Sequence, residues 1–169
     1  QGPVVGTVMS NLGLEQKLQA EGVEFLRAKV GDRYVLAMLK EHGGVLGGET
    51  SGHLLCLDRT TTGDGLVSAL EVLAVMKRTG RPLAELVAGM PKFPQVMINV
   101  RVRERIDPSQ SQVIQDAVRR VEKVLGSTGR VVLRASGTEP VIRVMIEAED
   151  EAVASRYASE LAEVVRTAI

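Results

Sequence analysis

Apolar and polar residues alternate along the first half of the chain in a pattern that predicts strands followed by helices. Short apolar runs predict strands at residues 3–9, 23–30, 45–46 and 54–57. Apolar residues at helical spacing predict helices after the first two of these runs, one capped by Ser10 and Asn11 and one over residues 32–42. Such alternation is typical of parallel crossover units, in which ligands bind beyond the carboxyl ends of the strands.

A longer apolar segment follows at residues 66–77. Asp64 is suited to cap its first turn, and only Ser68 and Glu71 interrupt the apolar residues between Leu66 and Met76. A helix that is apolar around most of its circumference is usually buried. The pattern therefore predicts a helix that lies deep against the sheet of the first domain.

Residues 89–94 contain two prolines and predict a domain boundary, since proline resists continuation of a helix or a strand. Beyond it we expect strands at 95–102, 129–135 and 141–148. A helix is predicted to start at Asp107 and Pro108, end at Gly126, and bury Ile114, Ala117, Val121 and Val124. The last helix follows Asp150. This order indicates an α+β unit with helices on one face of an antiparallel sheet.

Composition narrows the classes of partner. The chain has 169 residues, of which 44% are hydrophobic, and its 21 basic residues balance 21 acidic ones. Neutral balance, 2% aromatic residues and no tryptophan disfavour a nucleic-acid partner. No stretch is apolar enough for a membrane span, and the single cysteine, Cys56, lies in an apolar run as a core residue does. We expect a cytoplasmic protein with no nucleic-acid or membrane partner.

Candidate chemistry is concentrated in residues 134–147, R-A-S-G-T-E-P-V-I-R-V-M-I-E. Guanidinium groups bind phosphate oxygens through two parallel hydrogen bonds, hydroxyls add neutral donors, and glycine lets backbone N–H groups approach an anion. This stretch supplies all three kinds of group, in Arg134, Ser136, Gly137, Thr138 and Arg143. The alternative is a polar hairpin turn, because the same small residues form turns.

A second polar loop, G-G-E-T-S-G-H, occupies residues 47–53. Glu49 can accept two hydrogen bonds from adjacent hydroxyls, while Ser51 can both donate and accept. A vicinal diol is the natural partner of such a pair. The glycines could equally be turn formers, and a lone histidine such as His53 at the start of a strand is usually structural.

Four motifs together resemble the α-D-phosphohexomutase family. They are R-A-S-G-T-E-P with the following I-R-V-M-I-E, G-G-E-T-S-G-H, K-V-G-D-R-Y-V at residues 29–35 and T-T-T-G-D-G at residues 60–65. The resemblance implies that residues 1–90 form most of the family's third domain, which binds sugar, and residues 91–169 its fourth, which binds phosphate. The expected fold is α/β followed by α+β: a partial three-layer domain with a mixed sheet, then the smaller antiparallel unit.

The resemblance also implies roles for individual residues. Sugar contacts are expected from Gly31, Asp32, Glu49 and Ser51, with His53 a candidate for proton transfer. Phosphate contacts are expected from Arg134, Ser136, Gly137, Thr138 and Arg143. The substrate would be a hexosamine phosphate, whose phosphoryl group exchanges with an enzyme phosphoserine assisted by Mg²⁺. The alternatives are a member that acts on mannose or glucose phosphates, a sugar-phosphate-binding module without activity, and a structural module whose loops bind nothing.

Neither the phosphoserine nor the Mg²⁺ ligands of that family are found in this sequence. No D-x-D-x-D string occurs, so no metal site is expected in the chain itself. The letters R-A-S-G resemble the core of the family's phosphoserine loop, but Val132 and Leu133 precede them where that loop has an Asp-Thr pair. We therefore interpret Ser136 as a phosphate ligand. The chain is expected to be an inactive fragment that needs the missing N-terminal domains of the same protein.

Overall fold

Strands and helices alternate in the first part of the computed structural model, which describes residues 2–103, 107–137 and 139–169. The chain divides into two units, Gln1–Pro91 and Lys92–Ile169. The elements of the first unit are β1 (Val4–Thr7), α1 (Leu12–Ala20), β2 (Phe25–Ala28), α2 (Asp32–His42), β3 (Leu46–Gly48), β4 (Leu54–Cys56), α3 (Gly65–Thr79) and α4 (Leu83–Leu86).

The sheet of the first unit is mixed, with strand order β2-β1-β3-β4. Strand β1 runs parallel to β2 and β3, whereas β4 is antiparallel to β3. One face is closed by α2, whose Val35 and Leu39 are fully buried against Val5 and Leu55. Each such side chain contributes roughly 1.5–3 kcal/mol through removal of apolar surface from water. The predicted α/β architecture is confirmed.

Local capping fixes where the helices begin. The Oδ1 atom of Asn11 accepts a hydrogen bond from the Gly13 N–H at 3.1 Å and caps α1, while the Ser10 hydroxyl accepts one from the Thr7 N–H. The Oδ1 atom of Asp64 accepts from the Leu66 and Val67 N–H groups and caps α3 as predicted. Caps of this kind contribute on the order of 1 kcal/mol each.

The prediction that α3 is deeply buried is wrong for this chain. None of its residues is buried, and Leu66, Leu70 and Leu73 are 80%, 65% and 56% exposed. The helix contacts the sheet at its edge strand β4. Apolar composition showed that this helix needs covering on more than one side, but the described residues of the first unit cover little of it.

The second unit is built around an antiparallel sheet of order β5-β7-β6. Its elements are β5 (Gln95–Arg101), a 3-10 turn (Pro108–Gln110), α5 (Gln112–Leu125), a second 3-10 turn (Gly126–Thr128), β6 (Gly129–Ala135), β7 (Val141–Ala148) and α6 (Glu151–Ala168). Alternate residues of β7 pack against both helices, since Ile142, Val144 and Ile146 share one buried cluster with residues of α5 and α6. The predicted α+β unit is confirmed.

Two details of α5 differ from the sequence prediction. Asp107 and Pro108 begin a separate 3-10 turn, and the extended backbone at Ser111 interrupts it before the helix proper. The buried face of the helix ends in Leu125, whereas Val124 is 59% exposed. Both residues continue the apolar periodicity, and only packing against the sheet decides between them.

The face of this sheet opposite α5 and α6 carries a buried ion pair. Glu147 of β7 is fully buried, and its Oε2 accepts a hydrogen bond from Nε of Arg130 at 2.5 Å. Its Oε1 accepts one from the side-chain amide of Gln95 at 3.1 Å. Both neighbours lie directly opposite Glu147 on the flanking strands, so the three side chains form one row across the sheet.

No helix among the described residues is both long enough and apolar enough to cross a membrane.

Candidate functional site

The loop of residues 136–140 connects β6 to β7 in the second unit. The Ser136 N–H donates to the Val141 carbonyl at 2.9 Å and continues the strand ladder by one step. The Glu139 N–H donates to the Ser136 hydroxyl at 3.3 Å, and the Val141 N–H to the Glu139 carbonyl at 2.9 Å. Ser136 is therefore buried, and its backbone and hydroxyl hydrogen bonds stabilise the conformation of the loop.

The two arginines predicted to bind phosphate lie directly opposite each other, Arg134 on β6 and Arg143 on β7. Because the neighbours of Arg143 on β7, Ile142 and Val144, belong to the helix-facing core, both arginine side chains are on the other face of the sheet. Directly opposed like charges destabilise an antiparallel pair. A bound anion would remove that repulsion.

The burial of these arginines also favours the binding of an anion between them. The Nε atoms of Arg134 and Arg143 are buried and have no hydrogen-bond partner among the described residues. Burial, and then the positive charge of Arg143, lower the pKa of Arg134 from its usual value. Arg143 lies 4.0 Å from the carboxylate of Glu139, which is largely exposed. A buried, charged donor without a partner is costly, and phosphate oxygens are the acceptors that guanidinium groups bind best.

Gly137 is exposed, and apart from its own chain neighbours no atom of the described residues lies within 4 Å of the position that a Cβ would take. The space beside its backbone is thus open to a ligand. Thr138, the remaining residue predicted for this loop, lies outside the described part of the chain.

One residue of this site was not predicted. Asn99 of β5 lies opposite Arg143 on the side away from Arg134, so Asn99, Arg143 and Arg134 form one row on the helix-free face. Its side chain is exposed. An isolated asparagine in a strand carries no functional signal by itself, and the strand register that could have revealed it was not part of the sequence prediction.

The loop of residues 49–53 joins β3 to β4 in the first unit. The Glu49 N–H donates to the His53 carbonyl at 3.0 Å, and the Gly52 N–H to the Glu49 carbonyl at 3.0 Å. Gly52 has a φ of 95°, a conformation that favours glycine. The hairpin thereby turns the Glu49, Ser51 and His53 side chains into one cluster.

Glu49 is the centre of that cluster. Its Oε2 accepts a hydrogen bond from the Gly31 N–H at 3.1 Å, and its Oε1 accepts one from the Ser51 hydroxyl at 2.9 Å. The Ser51 hydroxyl is also 2.9 Å from Nδ1 of His53, and that nitrogen is 3.4 Å from the Glu49 carboxylate. The Glu49 side chain is 10% exposed, whereas that of His53 is 59% exposed. A carboxylate has about four lone-pair directions, so capacity remains for ligand hydroxyls.

The structure thus brings four of the five residues predicted for the sugar site together. Gly31 comes from the loop between β2 and α2 and is joined to Glu49 through its N–H. Asp32 begins α2 beside it, but its carboxylate is exposed and accepts from the Arg33 N–H at 2.7 Å. In the described part of the chain, no hydrogen bond joins Asp32 to Glu49, Ser51 or His53.

The described residues do not fit a magnesium site. No group of three or more histidine, cysteine or acidic side chains comes together among them. In the candidate sugar loop, the one buried carboxylate is already bonded through both oxygens to Gly31 and Ser51.

Comparison with known proteins identifies the class. The family model described as phosphoglucomutase/phosphomannomutase, alpha/beta/alpha domain III, matches residues 1–93, and the model for the C-terminal domain of the same family matches residues 97–164. The chain belongs to the phosphoglucomutase/phosphomannomutase family. The prediction that it carries the third and fourth domains of a phosphohexomutase is confirmed.

Similar whole proteins carry a more specific name than the family does. The chain is 58% identical over 167 residues to the phosphoglucosamine mutase of Alkalilimnicola ehrlichii, covering 99% of this chain and 37% of that protein. It is 55% identical to the phosphoglucosamine mutase of Methylococcus capsulatus, over 99% of this chain and 38% of that protein. The chain thus spans less than two fifths of the length of these relatives.

A solved structure has the same fold. The N-acetylphosphoglucosamine mutase of Aspergillus fumigatus, in complex with GlcNAc-6P and magnesium, superposes with a TM-score of 0.80 at 19% identity. The match covers 96% of this chain and 41% of that one.

Proposed function

We propose that this chain is part of a phosphoglucosamine mutase, which interconverts glucosamine 6-phosphate and glucosamine 1-phosphate through a phosphoserine enzyme. The proposal is supported by the names of the relatives at 55–58% identity. The observation that carries the local role is the opposed pair of Arg134 and Arg143, with buried Nε donors that lack partners in the described chain. We place the intact protein in the cytoplasm, in a pathway towards amino sugars and peptidoglycan precursors.

In this proposal the loop after β6 binds the phosphate that is not being transferred. Arg134 and Arg143 supply guanidinium donors, the open backbone at Gly137 lets an anion approach, and Thr138 adds a hydroxyl donor. Ser136 orders the loop through its bond from Glu139 and lies next to the same anion. Phosphoryl transfer depends mainly on positioning and charge stabilisation, which this loop provides without forming a covalent bond.

The loop after β3 recognises the sugar hydroxyls. Glu49 is held in place by the Gly31 N–H and accepts hydrogen bonds from adjacent ring hydroxyls. Ser51 lies between Glu49 and His53 and is hydrogen-bonded to both. The His53 imidazole can exchange a proton with a reacting hydroxyl of the sugar, while the negative charge of Glu49 stabilises the protonated imidazole. Asp32 lies at the margin of this loop.

The phosphoserine and the Mg²⁺ ligands would come from other parts of the intact protein, because the sequence has no D-x-D-x-D string and Ser136 is used for phosphate binding. Magnesium, when bound there, would neutralise charge on the transferring phosphoryl group. The isolated chain is accordingly inactive.

Activity measurements on the intact protein test this function. It should convert glucosamine 6-phosphate faster than mannose or glucose 6-phosphate, and the 169-residue chain should convert none of them. Preference for mannose or glucose phosphate would reassign the protein within its family. No turnover of any hexose phosphate, together with retained phosphate binding, would favour a binding module.

A further inference from the structure

A carboxylate lies beside the guanidinium groups of the loop after β6. The Oε2 atom of Glu139 is 4.0 Å from Nη2 of Arg143, and the Glu139 side chain is 65% exposed. Because that separation is longer than a hydrogen bond, the interaction between the two groups is electrostatic only. The carboxylate thus places a negative charge at the rim of a loop that we propose binds an anion.

The backbone holds Glu139 at this position. Its N–H donates to the Ser136 hydroxyl at 3.3 Å, and its carbonyl accepts a hydrogen bond from the Val141 N–H at 2.9 Å. The carbonyl of the next residue, Pro140, accepts one from the Val102 N–H at 3.0 Å, which ties the loop to the end of β5. The exposed carboxylate therefore projects from a fixed backbone beside the two arginines.

A carboxylate in this place is unfavourable for a simple anion. It repels phosphate and offsets part of the positive charge of Arg134 and Arg143. A neutral side chain on the same backbone would permit tighter binding of inorganic phosphate. The negative charge becomes favourable when the ligand also carries a positive charge close to its phosphate group.

We infer that Glu139 is a specificity-determining residue, whose carboxylate pairs with the protonated amine of a 2-amino-sugar 1-phosphate. This inference rests on the proposed function and extends it to the substituent next to the bound phosphate. In glucosamine 1-phosphate the amine is on C2, adjacent to the carbon that bears the phosphate. An acid beside the phosphate loop can therefore reach that amine and form a charge-assisted hydrogen bond.

The pairing depends on which phosphate occupies the loop. In glucosamine 6-phosphate the amine and the phosphate are attached on opposite sides of the sugar ring, so Glu139 cannot reach the amine when the 6-phosphate is bound beside Arg134. Glu139 consequently distinguishes a 2-amino sugar from glucose in the 1-phosphate orientation alone. The Glu49 loop is left to contact ring hydroxyls in either orientation.

Titration of the phosphorylated intact protein, with magnesium removed to prevent turnover, tests the inference. The phosphoserine then occupies the transferring position, so a sugar monophosphate places its own phosphate beside Arg134. Glu139→Gln removes the charge and keeps the size of the side chain. The ratio of the affinity for glucosamine 1-phosphate to that for glucose 1-phosphate should fall about fivefold, as expected for loss of a partly exposed ion pair.

Two controls accompany this measurement. Glu163→Gln on α6 is the matched variant, because the Glu163 side chain is also 65% exposed and lies beside an arginine, Arg166, at 2.8 Å. It should leave the ratio unchanged. In Glu139→Gln itself, the corresponding ratio for glucosamine 6-phosphate and glucose 6-phosphate should also stay the same, and inorganic phosphate should bind as well as before or more tightly.

An unchanged ratio for the two 1-phosphates in Glu139→Gln would overturn the inference. If both affinities fell equally, Glu139 would be orienting Arg143 for any phosphate; if neither fell, the carboxylate would not contact the ligand. Failure of the proposed function gives different results: undiminished affinity of Arg134→Ala for inorganic phosphate, or no conversion of glucosamine 6-phosphate by the intact protein.

Discussion

Arg134 and Arg143 are cross-strand neighbours on β6 and β7, and the Nε atom of each is buried without a hydrogen-bond partner in the described chain. Two like charges in this arrangement oppose folding, since each guanidinium loses hydration and repels the other. An anion that binds between the two arginines would explain why they flank the same five-residue loop.

Asn99, which lies opposite Arg143 on β5, gives a first prediction. Changing Asn99 to Asp puts a negative charge beside Arg143 and should weaken binding of inorganic phosphate, by roughly tenfold if the repulsion is about 1.4 kcal/mol. Asn99→Ala should have a smaller effect. Calorimetric titration of the intact protein measures both.

Gln19→Glu on the exposed end of α1 adds the same charge outside this row and serves as the control. Equal loss of phosphate affinity in Asn99→Asp and Gln19→Glu would mean that net charge alone is responsible.

The buried ion pair gives a second prediction. Glu147→Leu removes the carboxylate to which Arg130, only 16% exposed, donates, and should destabilise the second unit by about 3–5 kcal/mol. Replacing both residues, as Glu147→Leu with Arg130→Met, should restore much of that loss. Urea denaturation gives the free energies for a double-mutant cycle. Additive losses in the cycle would show that the two side chains do not stabilise each other.

How far the sequence predicted these features depends on the range of the interaction. The Arg134 and Arg143 pair follows from a short hairpin, because two strands separated by five residues must pair closely. The link between Gly31 and Glu49 depends on the parallel order of three strands, so the sequence suggested both residues but not the hydrogen bond between them. Asn99 was missed because its place beside Arg143 depends on long-range strand pairing.

Burial was the least predictable property. Leu66, Leu70 and Leu73 have the composition of a core helix and are exposed here, since hydrophobicity indicates the need for cover and not what provides it. In contrast, Cys56 was predicted to be a core residue and is 9% exposed.

Cys56 gives a third prediction. Burial, followed by the negative charges of Asp58 and Glu71, raises the pKa of its thiol. The folded state therefore holds the proton more tightly than the unfolded state, whose thiol titrates near about 8.5. The resulting stabilisation is fully present below that pH and is lost as pH rises through the folded pKa. Thermal unfolding should show a decline in stability above about pH 8.5 that is smaller in Cys56→Ala. An identical decline in both proteins would assign it to other groups.

We propose that the loop beside Arg134 binds phosphate while the loop at Glu49 binds sugar. Arg134→Ala removes charge-assisted hydrogen bonds that contribute about 1.5–3 kcal/mol, so affinity for phosphate ligands should fall roughly 10- to 100-fold. Arg120→Ala, which removes an exposed arginine from α5, is the matched control. Thr138→Ala should cost less than Arg134→Ala.

The most direct measurement is titration of inorganic phosphate and of glucosamine 6-phosphate into the Arg134→Ala and Glu49→Ala variants of the intact protein. We expect Arg134→Ala to lower the affinity for both ligands, whereas Glu49→Ala lowers the affinity for the sugar phosphate and leaves that for inorganic phosphate almost unchanged. Equal affinity of the two variants for inorganic phosphate would contradict the assignment of the loop beside Arg134 as the phosphate site.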